Sequence, residues 1–157
     1  MKDRFMRSTQ ISLAIIIIDQ LTKWLMFFSN RSYVITSYIS FELTYNRGIS
    51  WGLFASHLSS VFFIVSLLIA TLTGLLGVYA YIRYRKGKGI IPEVLIISGS
   101  CSNLLDRVIH GGVIDFIVLH YNNLAWPVFN IADVCVVLGV TALFVRQLKE
   151  HEPRPKV

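Results

Sequence analysis

Residues 61–82 run for 22 positions without one charged side chain. That length suffices to carry a helix across a hydrocarbon core. It also constrains everything around it, because a chain folding in lipid must satisfy its backbone polar groups internally, as helices or closed sheets. The rest of the chain fits. Of its 157 residues 54% are hydrophobic and 15% charged, against ~25% charged in an ordinary soluble domain. The length predicts a single domain.

Four segments are predicted to span: residues 8–28, interrupted by Asp19 and Lys23; 59–82; 90–109, with Pro92 suited to a first turn; and 130–147. The third is diluted by Gly, Ser, Asn, Asp and Arg. Its small residues Gly99, Ser100 and Ser102 suit close helix contact and predict a central position. The basic start followed by an apolar run lacks a small-x-small cleavage site, so the first segment reads as a retained helix.

The net charge of +6 does not point to nucleic acid. Eleven of the fifteen Lys and Arg residues fall in three clusters at the ends of apolar segments: Lys2, Arg4 and Arg7; Arg83, Arg85, Lys86 and Lys88; Arg146, Lys149, Arg154 and Lys156. Such clusters mark cytoplasmic ends. Both termini and the loop between the second and third spans are therefore expected inside, with a cytoplasmic tail over 148–157. Residues 29–58 and 110–129 are expected outside. Within the first of these, "ISFELTY" alternates like a half-apolar strand, "NRG" reads as a turn, and Ile49, Trp51 and Leu53 resume the alternation, which predicts a hairpin on the membrane surface or over the bundle mouth. Tyr33, Tyr38, Tyr45, Trp51, Tyr121 and Trp126 suit an interfacial aromatic belt. Residues 110–129 are expected as an outer loop that serves as a flap. Cys101 and Cys135 read as packing residues, and the four histidines lack metal-ligand spacing.

Ionisable residues inside spans suggest function by default. Asp19 and Lys23, four apart, share a helix face and suit either a structural pair or substrate contact. Asn103, Asp106 and Arg107 lie close on the third helix. Arg107 suits headgroup contact, substrate positioning or holding a carboxylate. Asp115 and Asp133 fall at one outer level. For Asp133 two readings stand: a helix cap, for which Asn130 competes, or half of a carboxylate pair sharing a proton. Such a pair activates water with one member and protonates a carbonyl with the other. A proton-coupled transporter and a non-enzymatic scaffold are the rival classes. A transporter predicts charges spread through the membrane and an inverted repeat, and no repeat is seen.

Four blocks in order resemble the bacterial lipoprotein signal peptidases, signal peptidase II: "DQLTK", "YNRGISWG", "GSCSNLLDRVIHGGVIDFI" and "WPVFNIAD". The resemblance implies an all-α membrane bundle of four transmembrane helices with an extracytoplasmic β-cradle, here about residues 33–56. It implies Asp115 and Asp133 as catalytic aspartates. Asp19, Lys23, Asn46, Gly48, Gly99, Asn103, Arg107, Asn130 and Ala132 match supporting or substrate-contacting positions. It further implies an aspartic endopeptidase of the bacterial inner membrane, without metal or cofactor. Its substrates would be diacylglyceryl-modified prolipoproteins, cut just before the lipidated cysteine, and globomycin-type compounds its inhibitors. The expected setting is membrane lipid, with no nucleic-acid partner. The family usually has small residues after Asn-x-Gly and often Gly before the third-helix asparagine; this chain has Ile49, Ser50 and Ser102 there.

Overall fold

The computed structural model describes residues 2–48, 59–122 and 124–151. In chain order these form helix α1 (Lys2–Ser29), strands β1 (Tyr33–Thr36) and β2 (Ile39–Asn46), helices α2 (Ser59–Arg85) and α3 (Ile91–His110), strands β3 (Val113–Tyr121) and β4 (Leu124–Ala125), and helix α4 (Ile131–His151). Among the described residues, α1, α2 and α4 are long and apolar enough to cross a membrane. The polar residues that dilute α3 leave it outside that group.

Burial is inverted relative to a soluble protein. Asp19, Lys23, Glu93, Asp106 and Asn130 are fully buried, while Leu25, Phe63, Leu75 and Phe144 are 61–69% exposed. Apolar side chains turned outward need an apolar surround, and buried charges need partners. This is the pattern of a multi-pass membrane protein.

Helix α3 packs against α1, α2 and α4, as its small residues predict. Contact with α4 is closest at two glycines. A Cβ on Gly99 would overlap the Ala132 carbonyl oxygen and stand 2.9 Å from Val136 Cγ2; one on Gly139 would stand 2.6 Å from Ile96 Cγ1. Gly99→Ala is therefore expected to lower stability by about 1–3 kcal/mol through overpacking, read as a lower unfolding midpoint in detergent. Pro92 occupies the first turn of α3, and Gly111 ends the helix in the left-handed conformation (φ 66°), a C-terminal geometry that glycine adopts without steric cost.

Described members of the three basic clusters, Arg4, Arg83 and Arg146 among them, lie at one end of the bundle. Arg4 Nη1 donates to the Gly87 carbonyl at 2.5 Å, and Phe5 packs on Tyr84. Glu93, fully buried in the first turn of α3, accepts both Nη atoms of Arg146 from α4, at 2.5 and 3.0 Å. Arg83 of α2 approaches the same carboxylate at 3.5 Å and pairs with Glu150 at 3.2 Å. This end thus ties α2, α3 and α4 together.

The opposite end carries an antiparallel sheet in the order β1-β2-β3-β4. The expected strand at Ile39 is present, but its described partners are β1 and β3. The expected second hairpin arm at Ile49, Trp51 and Leu53 lies outside the described residues. The segment expected as a flap loop is mostly sheet. Its run VIDFIVLHY is rich in β-branched and aromatic residues, which suit a pleated surface, and Phe129 closes it by exchanging backbone hydrogen bonds with Ile117 at 2.8 and 3.0 Å. The alternation expected of β2 holds at Ile39, Phe41 and Leu43, half-buried against exposed Glu42 and Thr44, and breaks at Ser40. Ser40, a polar position, is its buried residue, because its hydroxyl donates to Glu42 at 2.8 Å and meets His120 Nε2 at 2.7 Å. Tyr33, Tyr38, Tyr45, Tyr121 and Trp126 are exposed on or beside this sheet.

Candidate active site

The site grows from the N-terminus of α4, where backbone N–H groups lack intrahelical partners. Asn130 caps it: Asn130 Oδ1 accepts the Asp133 N–H at 2.9 Å. Asp133 reaches back, its Oδ2 accepting the Asn130 N–H at 3.3 Å. This is a reciprocal capping box with Asp at the third helical position. Asp19 of α1 takes a third group, its Oδ1 accepting the Ala132 N–H at 2.8 Å. Asp133 is therefore part of the cap, yet its Oδ1 is left to accept from Asn103 Nδ2 at 2.9 Å. The two readings of Asp133 are compatible.

Asp115 comes from β3. Its Oδ1 accepts from Asn130 Nδ2 at 2.7 Å and its Oδ2 from Asn46 Nδ2 at 3.1 Å. Asn46 also closes a turn, its Oδ1 accepting the Gly48 N–H at 2.8 Å. Arg107 Nη2 donates to the Gly48 carbonyl, and Nη1 to the Ser66 hydroxyl at 3.3 Å. Asp115 and Asp133 then line one cavity of about 160 Å³, together with Asn46, Gly48, Asn103 and Arg107. Burial pushes the Asp115 carboxyl up to about 7, the nearby charge of Asp133 pushes the same way, and the amides of Asn46 and Asn130 oppose both.

Behind the cavity lies a closed polar layer. Lys23 is fully buried and its three N–H groups are all used: Asp19 Oδ2 at 2.7 Å, Asp106 Oδ2 at 2.8 Å and Asn103 Oδ1 at 2.8 Å. The Lys23 ammonium has no donor left and neither Asp19 nor Lys23 is exposed, the surroundings of a structural pair. Asn103 Oδ1 also accepts from Asn130 Nδ2 at 3.1 Å. One oxygen so fixes both amides, and each amide then points an N–H at one of the two aspartates. Gly99 and Ala132 lie outside the cavity lining: Gly99 permits the α3–α4 approach, and Ala132 offers its N–H to Asp19.

Sequence reasoning left three members of this layer out of the site. Asp106 joins Lys23 and accepts the Ile114 N–H at 3.1 Å, which anchors β3 to α3. Gln20 donates to Asp106 at 2.8 Å and to the Ser102 hydroxyl at 3.0 Å. Ser102, where the family often has glycine, donates to Asp19 Oδ2 at 2.7 Å. The signal for Asp106 was present: an acid one turn from Asn103 in a membrane-length helix demands a buried cation. Neutral Gln20 and Ser102 gave no such signal.

A family model described as signal peptidase (SPase) II matches residues 11–149 of this chain. The chain belongs to the signal peptidase II family. A lipoprotein signal peptidase of Rickettsia akari (strain Hartford) is 36% identical over 148 residues, covering 88% of this chain and 73% of that one. Another, of Thermodesulfovibrio yellowstonii, is 36% identical over 146 residues, covering 90% and 95%. Among solved structures, one described as a bacterial membrane enzyme determined by the in meso method at 2.3 Å superposes with TM-score 0.74 and 27% identity, covering 96% of this chain and 94% of that one. A second, described likewise at 1.9 Å, gives 0.69 and 28% over 91% and 93%. The signal peptidase II match spans all the residues that build the cavity.

Proposed function

We propose that this signal peptidase II family member is an intramembrane aspartic endopeptidase. It removes the signal peptide from diacylglyceryl-modified prolipoproteins, cutting just before the lipidated cysteine. The observation that carries this reading is the pair of carboxylates, Asp115 and Asp133, lining one small buried cavity with an amide donor on each. Four acids (Asp19, Asp106, Asp115 and Asp133) stand in and behind the cavity against three cations, Lys23, Arg107 and, at the rim, Arg47. That imbalance favours one retained proton, shared as a macroscopic property of the aspartate pair. The ionised member takes a proton from water as the water attacks the scissile carbonyl. The protonated member donates to the carbonyl oxygen. Asn46, the Gly48 carbonyl and Arg107 line the same cavity and position the peptide.

In this reading α3 crosses the membrane as the fourth helix, sheltered by the other three. The basic end faces the cytoplasm of a bacterial inner membrane and the sheet lies at the outer face. Globomycin-type inhibitors would occupy the cavity. A proton-coupled transporter is less well supported, because among the described residues the buried ionisable groups gather into two clusters, one at each end, with no relay between them.

The test is cleavage of purified prolipoprotein with and without its diacylglyceryl group, followed by mass spectrometry of the product. Cleavage of the modified form alone, leaving cysteine first, is expected. Equal cleavage of both forms, or a cut elsewhere, would overturn the proposal.

Two pH dependences follow from Asp115. The rate is expected to fall as pH rises through about 7, where the pair loses its proton, and a profile flat to high pH would contradict the shared-proton mechanism. Stability is expected to move in the same direction. The folded-state carboxyl lies above its ordinary value of 3.8, so the protonated group stabilises the fold fully below about that pH, and the contribution is lost as pH rises towards about 7. Denaturant unfolding from pH 4 to 8 should show this decline, and Asp115→Asn should flatten it.

A further inference from the structure

Two arginines share one aromatic ring at the rim of the cavity. Arg47 Cζ and Arg107 Cζ each lie 5.3 Å from the centre of the Phe62 ring. Arg107 is only 5% exposed and Arg47 is half-buried. The Nε of each is buried and has no hydrogen-bond partner among the described residues. Neither guanidinium takes part in an ion pair there. The ten residues 49–58, which join Gly48 to α2, contain no acid that could serve as counter-ion. At this end of the bundle Ser40 donates to Glu42, and Asp115 and Asp133, which line the cavity with Arg107, accept from the amides described above, which leaves Arg47 with no carboxylate beside it among the described residues.

Buried N–H groups without acceptors are costly, and two cations on one ring repel each other. A bound anion relieves both. The planar forks of two arginines suit a phosphate, whose several oxygens accept paired hydrogen bonds. The surroundings indicate where that phosphate comes from. Phe63, the neighbour of Phe62, is 66% exposed, and Val108 and Ile109, next to Arg107, are 85% and 59% exposed. This apolar, outward-facing surface beside the cations suits acyl chains below a headgroup. The position, at the start of α2 and the end of α3, is where a membrane-length helix meets the headgroup layer.

We propose that Arg47 and Arg107, stacked on Phe62, bind the phosphate of an anionic phospholipid at the rim of the cavity. The inference shares Arg107 with the peptidase reading, but lipid retention is measured without substrate, so either can fail alone.

The test is native mass spectrometry of the full-length protein released from nanodiscs containing phosphatidylglycerol and phosphatidylcholine. The wild type is expected to retain one phosphatidylglycerol about tenfold more tightly than phosphatidylcholine, as for a charged hydrogen bond. The basic clusters at the other end bind anionic lipid in every variant. Arg47→Gln should therefore lower the number retained by one, and Arg47→Lys, which keeps the charge but loses the fork, should weaken retention partly. Phe62→Leu should give the same loss as Arg47→Gln, and it replaces that variant if Arg47→Gln does not fold in phosphatidylcholine alone. No preference in the wild type, or unchanged retention in both Arg47→Gln and Phe62→Leu, would overturn the proposal. Displacement of the lipid by soluble glycerol phosphate at equal concentration would also overturn it, by assigning the site to free phosphate.

Discussion

Asp133→Asn is expected to abolish measurable cleavage of diacylglyceryl-prolipoprotein, a loss of about 10²–10⁴-fold, while the protein stays folded. Asparagine keeps one side-chain oxygen, which suffices to accept the Asn130 N–H that now goes to Asp133 Oδ2. The cap of α4 also keeps its main support, because Asn130 Oδ1 accepts the backbone N–H of residue 133 whatever side chain stands there. What is lost is a group that can exchange a proton, together with the acceptor of Asn103 Nδ2, a cost of about 1–3 kcal/mol that leaves the fold intact. Asp115→Asn is expected to behave alike, and the double variant to be no worse than either single one, since the two carboxylates act as a unit. The measurement is single-turnover cleavage beside a thermal melt. A well-folded Asp133→Asn protein that cleaves at near the wild-type rate would reduce Asp133 to a helix cap.

Lys23→Met should have the largest effect on stability, about 3–5 kcal/mol, the usual result of removing one partner from a buried ionic cluster. Lys23 neutralises two fully buried carboxylates and donates to Asn103. Without it Asp19 and Asp106 remain out of water with no cation between them. Gln20, Ser102, and the Ala132 and Ile114 N–H groups still hold these acids but carry no charge. Activity should fall as well, because Asn103 Oδ1 then keeps only the Asn130 amide to orient it. Denaturant unfolding in detergent checks the first expectation and cleavage rate the second. Lys23→Arg is not expected to rescue either, since a planar fork cannot place three donors on acceptors at 2.7–2.8 Å around one atom. A variant as stable as the wild type would mean that the layer tolerates two unpaired acids, contrary to the reading of Asp19–Lys23 as structural.

The two expectations divide the polar residues by what they do. Asp115 and Asp133 line the cavity, and the proposed mechanism uses their exchangeable protons. Asp19, Lys23 and Asp106 lie behind it and hold α1, α3, β3 and α4 in register. The amides of Asn103 and Asn130 connect the two layers, so a change in the rear layer reaches the cavity through hydrogen bonds, without touching anything bound there.

The local rules of the sequence reached a long way. A 22-residue uncharged run, three basic clusters at span ends and a strand-like alternation at Ile39 were enough for helices in lipid with a sheet at one end, because periodicity and charge placement are properties of neighbouring residues. Pro92 marked the first turn of α3 for the same reason. Four ordered blocks of residues carried the resemblance to signal peptidase II. Other features depend on residues far apart in the chain. That β2 pairs with β3 across some seventy residues, and that residues 113–121 form a strand rather than a loop, follow from long-range hydrogen bonding that no local pattern encodes. Asp133 shows the division most plainly. Its position beside Asn130 made a helix cap legible from the sequence, and it is part of that cap. Only the packing of α3 and β3 against α4 leaves one of its oxygens to Asn103 and sets it with Asp115 in one cavity, because a shared site is a matter of distance in space, and spacing along the chain does not fix that distance.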